Sequence, residues 1–236
     1  MDIGFELNYQ HVLLVDTDPR GEGDWAYVGP GIEGIADNIA DVVSTKSYYD
    51  MGGSESDNVT GVNSGVTITG DRLRGDKFQD WAVSLARTKG DERKTRVRQV
   101  NPAGEVIEWP TATVKNIKGS SADGNANDNT PFSCEIKFEG DPVLIEPKKG
   151  EQLPETVTVE DVEVSVGAKA KLSPAVTPEQ ASGWCLYAVA QNGRGIASVD
   201  AEGNVTGISA GETTVTVKCA AKPSVNVQVK VTVAAA

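Results

Sequence analysis

Few residues of this sequence have a type and spacing that would support catalysis or metal binding. His11 is the only histidine, and the three cysteines, Cys134, Cys185 and Cys219, include no CxxC pair. Structural zinc takes four cysteine or histidine ligands, and a serine or cysteine nucleophile needs a histidine base that a third group orients. We therefore expect no metal site, no cofactor and no nucleophilic catalysis.

The two cysteines of the second half allow two interpretations. Cys185 and Cys219 both fall on predicted strands, so they could form a disulfide within one domain. The segment from Met1 to Asp16 has no basic stretch before its short apolar patch, which predicts that the chain does not use the general secretory route. Reduced thiols in the core are therefore the favoured interpretation. The sequence also contains no apolar run of about 18 residues, so we expect no membrane insertion.

The charge balance of the chain is acidic. It has 34 Asp and Glu residues against 22 Lys and Arg, a formal net charge of -12. This charge argues against a protein whose main role is to bind nucleic acid through phosphate contacts. Paired carboxylates are the catalytic groups of glycosidases, but no apolar cluster flanks any such pair, and aromatic residues make up only 6% of the chain. The composition favours a protein that is not an enzyme.

The segment from Gly75 to Gly90 predicts an amphipathic helix. Its apolar residues recur at i, i+3, i+4 and i+7 and form a stripe that faces a core: Phe78, Trp81, Ala82 and Leu85. We expect Asp76 to act as the N-cap, with Gln79 as the capping-box partner. Gly90 is expected to take the left-handed conformation that ends the helix. A single helix needs a sheet on which to bury its stripe, so strands must form the rest of the first half.

Alternating and β-branched patterns predict those strands. They are residues 11–15, 25–28, 62–69, 95–100, 106–109, 111–117 and 132–138. The first two form a hairpin, and the last alternates most clearly, with an apolar face that we expect to pack on the helix. Glu135 and Glu139 lie on its polar face, with Lys137 between them. Residues 29–58 have neither a helical nor a strand period and are predicted to be a long functional loop.

The second half has a different pattern. Residues 146–155 are rich in Pro, Lys and Gly, and we predict domains at 1–148 and 157–236 joined by a linker at 149–156. About seven short strands follow, a pattern typical of an immunoglobulin-like β-sandwich. Their A-x-V, G-x-V-x-G and G-x-x-x-V-x-V motifs lie at Ala197 and Val199, at Gly203, Val205 and Gly207, and at Gly211, Val215 and Val217. In this order the motifs resemble the group 2 bacterial immunoglobulin-like domain.

Residues 1–148 resemble a second family, the major tail tube proteins of long-tailed bacteriophages (siphoviruses) of the lambda-like type. The resemblance rests on the hairpin, the acidic loop through Ser47 to Asp50, the single helix and the strands in NPAGEVIEW and SCEIKFEGDP. It implies a mainly β tail tube sandwich or barrel with one packed α-helix. It also implies stacked hexameric rings that form the tube of a virion tail and conduct the genome into the host cell.

The same resemblance implies partners and a location. The partners would be other copies of the chain, a tape-measure protein, a tail terminator and tail-tip proteins. Double-stranded DNA would pass through the tube without specific binding. The protein would be found in the virion tail after assembly in the host cytoplasm, and the immunoglobulin-like domain would project outside a long flexible tail used for genome ejection.

Charge patterning suggests how copies of the chain would meet. Residues 16–57 contain ten acidic and two basic residues, whereas residues 71–98 contain nine basic and five acidic ones. A subunit that builds an open filament needs unlike, complementary surfaces. The candidate loop residues are Ile35, Asp37, Asp41, Tyr48, Tyr49, Asp50, Glu55 and Asp57, and the candidate basic counter-surface is Arg72, Arg74, Arg93, Arg96 and Arg98. Glu135 and Glu139 are candidates for acidic charge in the lumen, which should not bind passing phosphates.

Three other functions remain open at the level of the sequence. The main alternative is a bacterial surface or adhesion protein that carries an immunoglobulin-like module, which would need an export signal or wall anchor. An enzyme with an accessory immunoglobulin-like domain would need a buried carboxylate pair in a cleft. A capsid decoration protein would share the sandwich but would not need the long acidic loop.

Overall fold

The computed structural model describes residues 7–149 and 152–235. The described protein is mainly β, as the sequence predicts, and contains one α-helix. The chain divides into two compact units. Unit 1 comprises residues 1–28, 97–108 and 142–236, and unit 2 comprises residues 29–96 and 109–141. Gly150 and Glu151 of the proposed linker lie outside the described residues, and the domain boundaries at 148 and 157 stay a prediction.

Among the described residues, ten strands precede the proposed linker. They are β1 (Val12–Asp16), β2 (Trp25–Tyr27), β3 (Ile32–Asp37), β4 (Ala40–Ser47), β5 (Glu55–Asn63), β6 (Gly65–Asp71), β7 (Lys94–Val100), β8 (Val106–Lys118), β9 (Pro131–Glu139) and β10 (Val143–Glu146). The predicted hairpin is confirmed, because β1 pairs antiparallel with β2. In its turn, the buried Asp16 carboxylate accepts hydrogen bonds from the backbone N–H groups of Asp18 and Asp24 at 3.0 and 2.8 Å.

Nine strands form the immunoglobulin-like part of unit 1. They are β11 (Thr156–Thr158), β12 (Val162–Ser165), β13 (Lys169–Lys171), β14 (Ala175–Thr177), β15 (Cys185–Val189), β16 (Ala197–Val199), β17 (Asn204–Gly207), β18 (Gly211–Cys219) and β19 (Asn226–Ala234). One sheet has the order β12-β19-β18-β15 and the other β13-β17-β16, so the predicted sandwich is confirmed. The sequence pattern over residues 168–176 is typical of one strand, but the segment forms two, β13 and β14. Pro174, which has no N–H to donate, lies between them.

The sandwich core follows the period of its strands. On β18, every second residue from Thr213 to Cys219 is buried, and Val215 and Val217 have no exposed surface. They pack with buried valines of β19, including Val229 and Val231. Alternation of buried and exposed positions is what a sheet with one face on a core requires, so this part of the sequence is easy to interpret.

Unit 1 also contains a second core, built from residues on both sides of the proposed linker. Its buried members are Val12, Leu14, Trp25, Val100, Val106 and Ala220, with Trp184 and Leu186 packed against them. The Gln10 side chain donates a hydrogen bond to the Ala221 carbonyl oxygen at 2.9 Å. Arg98 forms an ion pair with Glu202 at 3.0 Å. The amino-terminal hairpin and the immunoglobulin-like strands are therefore packed together within unit 1.

Unit 2 places the predicted helix on strands that follow the order β8-β9-β6-β3 within a larger sheet. Helix α1 (Lys77–Ser84) buries Phe78, whose ring meets that of Phe132 on β9 edge to face, with centroids 5.9 Å apart. The predicted apolar partner of the helix is thus confirmed. Leu85 is also buried, while Trp81 is only half-buried. The predicted apolar stripe therefore faces the core, but its residues are not buried to the same extent.

The ends of the helix agree only in part with the prediction. Asp76 is the N-cap, and its side chain accepts a hydrogen bond from the Gln79 N–H at 2.9 Å. Gln79 does not complete a capping box. Its buried side chain instead accepts from the Leu73 N–H at 2.7 Å and donates to the Pro30 carbonyl at 2.9 Å, because a buried amide must satisfy its polar atoms. The helix ends at Ser84, before Gly90, which does have a positive φ of 62°.

Two further predictions of the first half need correction. The expected loop over residues 29–58 is wrong, because this segment contains β3, β4 and the first four residues of β5. The expected strand over 62–69 is interrupted at Ser64, where β5 ends and β6 begins. The two strands expected over 106–109 and 111–117 are one strand, β8. Pro110 does not end it, because the pairing of β8 with β9 begins only at Thr111.

Candidate assembly interface

The most unusual feature of unit 2 is a two-stranded ribbon formed by β4 and β5. We call residues 40–63 the arm. Its strands pair antiparallel from Ala40 with Asn63 to Ser47 with Glu55, and they form a sheet of their own. Ser44, Ser56 and Gly61 are half-buried, and every other arm residue is exposed. Isolated two-stranded hairpins are marginally stable in water, so an arm of this length gains stability if a further surface covers it.

Large apolar side chains are exposed along the arm and at its base. They are Ile39, Val42, Val43, Tyr48, Tyr49, Met51, Val59 and Val62. Val43 lies directly opposite Val59, and their side chains are 47% and 53% exposed. Single exposed apolar residues are common, but contiguous groups of this kind mark interaction surfaces. The arm therefore has the composition of a docking element.

The arm is ordered by its own backbone and side-chain hydrogen bonds. The register shifts between Val42 and Val43, so that Thr60 is an extra residue of β5, and its hydroxyl donates to the Val42 carbonyl at 3.0 Å. The Thr45 hydroxyl donates to the Asp57 carboxylate at 2.6 Å. Bulges of this kind strengthen the local twist of a ribbon and redirect its side chains. The arm is thus a shaped element and not an irregular loop.

The candidate loop residues lie on two pairs of strands, β3 with β6 and β4 with β5, and on the turn of the arm. Ile35 and Asp37 lie on β3, which pairs with β6. The remaining six lie on the arm: Asp41, Tyr48, Tyr49, Asp50, Glu55 and Asp57. Tyr49 begins the 3-10 turn at the arm's tip and is fully exposed. Most of the acidic residues and both tyrosines of this candidate set therefore lie on the arm.

The candidate lumen acids lie on β9, and each is paired with lysine. Glu139 accepts hydrogen bonds from Lys94, at 2.6 Å to its Oε1 atom, and from the Thr113 hydroxyl. Glu135 accepts from the Asn116 amide at 2.8 Å and forms an ion pair with Lys115 at 2.9 Å.

These contacts favour the charged form of both carboxylates. The hydrogen bond from Asn116, followed by that from Lys115, lowers the pKa of Glu135 below its usual value. The hydrogen bond from Lys94, followed by that from Thr113, lowers the pKa of Glu139. Because each carboxylate has a lysine partner, the net local charge of these pairs is close to neutral.

Contacts within the chain hold several of the candidate basic residues, among them Arg72, Arg93 and Arg98. Arg72 donates to the Leu73 carbonyl at 2.8 Å and forms an ion pair with Asp80. Arg93 donates to the carbonyl groups of Thr88 and Ala86, each at 2.9 Å.

Arg98 is the most constrained of the five arginines. It forms ion pairs with Glu108 at 2.7 Å and Glu202 at 3.0 Å, and its guanidinium lies 4.0 Å from the centroid of the Trp25 ring. These contacts hold the side chain in place within unit 1. Arg74, in contrast, is exposed, and Arg96 is half-buried on β7. Of the proposed counter-surface, Arg74 is the residue best placed to meet another molecule.

The sequence analysis missed two sets of exposed apolar residues. One is the set of arm valines, and the other is Val143, Leu144 and Ile145 of β10, each about half exposed. β10 pairs with β8 through residues 106–108. The clustering of β-branched residues in both segments is a strand signal that was available, but it lacks the alternation on which strand prediction mostly depends.

Among residues 7–149 and 152–235, no group of three or more His, Cys, Asp and Glu side chains is arranged to hold a metal ion. Within the same ranges, no helix is both long and apolar enough to cross a membrane.

Comparison with known proteins gives a family for part of the chain. Residues 154–233 match the model of the bacterial Ig-like domain (group 2). A comparison with curated proteins finds no match.

Solved structures give likenesses that cover a larger part of the chain. One is the tail of an empty gene transfer agent particle with C6 symmetry, with a TM-score of 0.48 and 9% identity over 60% of this chain and 100% of that one. Another is the sheath–tube complex of an extracellular contractile injection system, with a TM-score of 0.40 and 13% identity over 61% and 93% of the two chains. The sheets β12-β19-β18-β15 and β13-β17-β16 lie within residues 154–233, so the family match and the described fold agree on an immunoglobulin-like domain there.

Proposed function

We propose that this protein is a structural subunit that polymerises as stacked hexameric rings into the tail tube of a long-tailed, siphovirus-like bacteriophage. The tube conducts the DNA genome into the host cell, and the chain has no catalytic role. The observation that carries the proposal is the arm, a ribbon with exposed apolar side chains on a chain that otherwise buries its core well. Such a ribbon is explained if another copy of the chain covers it.

The geometry of the arm favours a contact between unlike surfaces. A contact in which the arm meets a different part of the next subunit is heterologous, and heterologous contacts generate rings or open filaments. The acidic residues of the arm, Asp41, Asp50, Glu55 and Asp57, would then face a basic or neutral surface of the neighbour. Arg74 is the exposed candidate for that surface. The exposed apolar strand β10 is a second candidate, since an exposed sheet edge readily pairs with another chain.

The lumen of the proposed tube must let DNA slide. Glu135 and Glu139 remain the candidate lumen acids, and their pairing with Lys115 and Lys94 makes that surface nearly neutral. A neutral or acidic wall avoids the phosphate contacts that would retard the genome. The further partners are a tape-measure protein, a tail terminator and tail-tip proteins. The location is the virion tail, after assembly in the host cytoplasm.

Replacing the arm tests the proposal directly. Residues 40–63 are exchanged for a short Gly-Ser turn between β3 and β6, which remain paired with each other through Asp37 and Val66. We expect a folded subunit, judged by circular dichroism, that no longer forms large assemblies in sedimentation velocity experiments. The matched control shortens the exposed loop over residues 121–128 and should assemble like the wild type. Assembly of the arm variant to the wild-type size contradicts the proposal.

A further inference from the structure

Cys185 and Cys219 face each other on neighbouring strands of the immunoglobulin-like sandwich. They are register partners in the antiparallel pair of β15 and β18. Both side chains are buried in the sandwich core, with 3% and 0% exposure. β15 is the last strand of its sheet, so this position joins an edge strand to its single neighbour.

The backbone hydrogen bonds near Cys185 and Cys219 show whether the two residues are a hydrogen-bonded or a non-hydrogen-bonded pair. The Ala220 N–H donates to the Trp184 carbonyl at 3.0 Å, and the Ala190 N–H donates to the Thr214 carbonyl at 2.9 Å. Hydrogen-bonded and non-hydrogen-bonded pairs alternate along an antiparallel ladder. Cys185 and Cys219 are one step from the first of these bonded pairs and therefore form a non-hydrogen-bonded pair.

An independent bond gives the same assignment. The Cys219 N–H donates to the Val225 carbonyl at 3.0 Å, on the side of β19, and therefore points away from β15. The Cα atoms of non-hydrogen-bonded pairs are about 4.5 Å apart, closer than those of hydrogen-bonded pairs. Disulfides span Cα distances from about 4.4 to 6.8 Å. The backbone thus holds these two cysteines at a separation that a disulfide can bridge.

We propose that Cys185 and Cys219 are a disulfide-forming site that ties the edge strand β15 to β18 when the protein meets a small-molecule disulfide. One cysteine, as its thiolate, attacks a sulfur of oxidised glutathione and releases one glutathione thiolate. The second cysteine loses its proton, attacks the protein sulfur of the mixed disulfide and releases the other glutathione thiolate. Two protein thiols are oxidised, and one glutathione disulfide is reduced to two thiols.

Burial of the two thiols controls when the disulfide can form. The hydrogen bond with Cys219 and the loss of solvent raise the pKa of the Cys185 thiol, so it stays neutral at ordinary pH. Because oxidised glutathione must reach a sulfur atom and both cysteines are buried, exchange in the closed sandwich is slow. Opening of the edge strand exposes both thiols, so oxidation should be faster in low concentrations of urea. Cys134 is also buried, but it belongs to unit 2 and has no register partner that is a cysteine.

Mass spectrometry of the full chain tests the site. The protein is incubated with oxidised glutathione in a series of urea concentrations below unfolding, and the remaining thiols are then alkylated. We expect one alkylated cysteine, Cys134, and a mass lower by two hydrogen atoms before alkylation. Trypsin should give a linked pair of peptides, one that begins after Lys171 and one that begins after Lys218. The Cys134→Ala variant should form the same link, and the Cys185→Ala variant should not.

Three results would overturn the proposal. They are alkylation of all three cysteines after oxidation, a link that includes Cys134, and stable glutathione adducts on both Cys185 and Cys219. The peptide map of the wild-type chain identifies the linked cysteines even if a cysteine variant folds poorly. A second measurement checks the structural effect, because a cross-link between strands restricts the unfolded chain. The melting temperature of the sandwich should rise by about 5 °C or more on oxidation, and an unchanged value contradicts the stapling of β15.

Discussion

The arm and the immunoglobulin-like sandwich are built from similar residues in the same secondary structure, yet they differ in burial. Val215 and Val217 on β18 have no exposed surface, whereas Val43 and Val59 of the arm are about half exposed. Both pairs of strands are antiparallel, and the pair that forms the arm contains one bulge. The difference shows that a valine-rich strand can serve either a core inside the chain or, as we propose, a surface that another copy covers.

The largest contrast should come from placing the same charge in both regions. Val217→Asp puts an unpaired carboxylate in the sandwich core and should cost more than about 4 kcal/mol of folding free energy. Val43→Asp puts it on the exposed arm and should change that free energy by less than about 0.5 kcal/mol. Hydrogen exchange of the β18 and β19 amides measures the first effect, and urea unfolding measures the second. Similar destabilisation by both changes would remove the distinction between the two regions.

The helix of unit 2 provides a second test of burial against exposure. Phe78→Ala removes a ring that packs edge to face on Phe132 and should cost about 3 to 5 kcal/mol in urea unfolding. Trp81→Ala removes a larger but only half-buried side chain and should cost less. A larger loss of unfolding free energy for Trp81→Ala than for Phe78→Ala would contradict the packing described for the helix.

A smaller effect is expected at the start of the helix. Asp76→Ala removes the oxygen that accepts the Gln79 N–H and should lower the unfolding free energy by about 1 kcal/mol. Asp76→Asn keeps an acceptor at the N-cap and should restore most of the loss. Equal stability of the alanine and asparagine variants in urea titration would show that the cap hydrogen bond does not matter here.

The smallest expected effect concerns the surface pair of Glu139 and Lys94. Since the folded-state pKa of Glu139 is lowered, the pair stabilises the protein above the ordinary glutamate value of 4.5, and this contribution is lost as the pH falls through the lower folded value. Solvent screening keeps the contribution below about 1 kcal/mol. Glu139→Gln should flatten the fall of the urea midpoint as the pH decreases below about 5. An equal fall in the wild-type protein and in the Glu139→Gln variant would contradict this contribution of the pair.

The same contrast explains what the sequence could and could not reveal. The sandwich was predictable because β18 and β19 each have one buried face, which imposes a period of two on the residues. The helix was predictable from its stripe, although its end was not, because the chain leaves the α-helix in a 3-10 turn at Leu85. Local pattern does not encode where such a turn begins.

The arm was not predictable as strands because neither of its faces is buried in the chain itself. Without a buried face there is no selection for alternation, and Val42 and Val43 stand side by side. The charge of the segment was visible, so the sequence located the candidate residues without giving their structure. The intrachain partners of Arg72, Arg93 and Arg98 could not be foreseen, since Arg98 meets Glu202 across more than a hundred residues of sequence.

The most direct test of the proposed tube is negative-stain electron microscopy of the purified full-length protein at high concentration, beside the double variant Val43→Asp and Val59→Asp. The wild-type chain should form rings or hollow tubes with a central channel. The variant should remain as single folded subunits, because two negative charges that face each other replace the apolar pair on the arm. Tubes of the same diameter from the variant, or only single subunits from the wild-type chain, would contradict assembly through the arm.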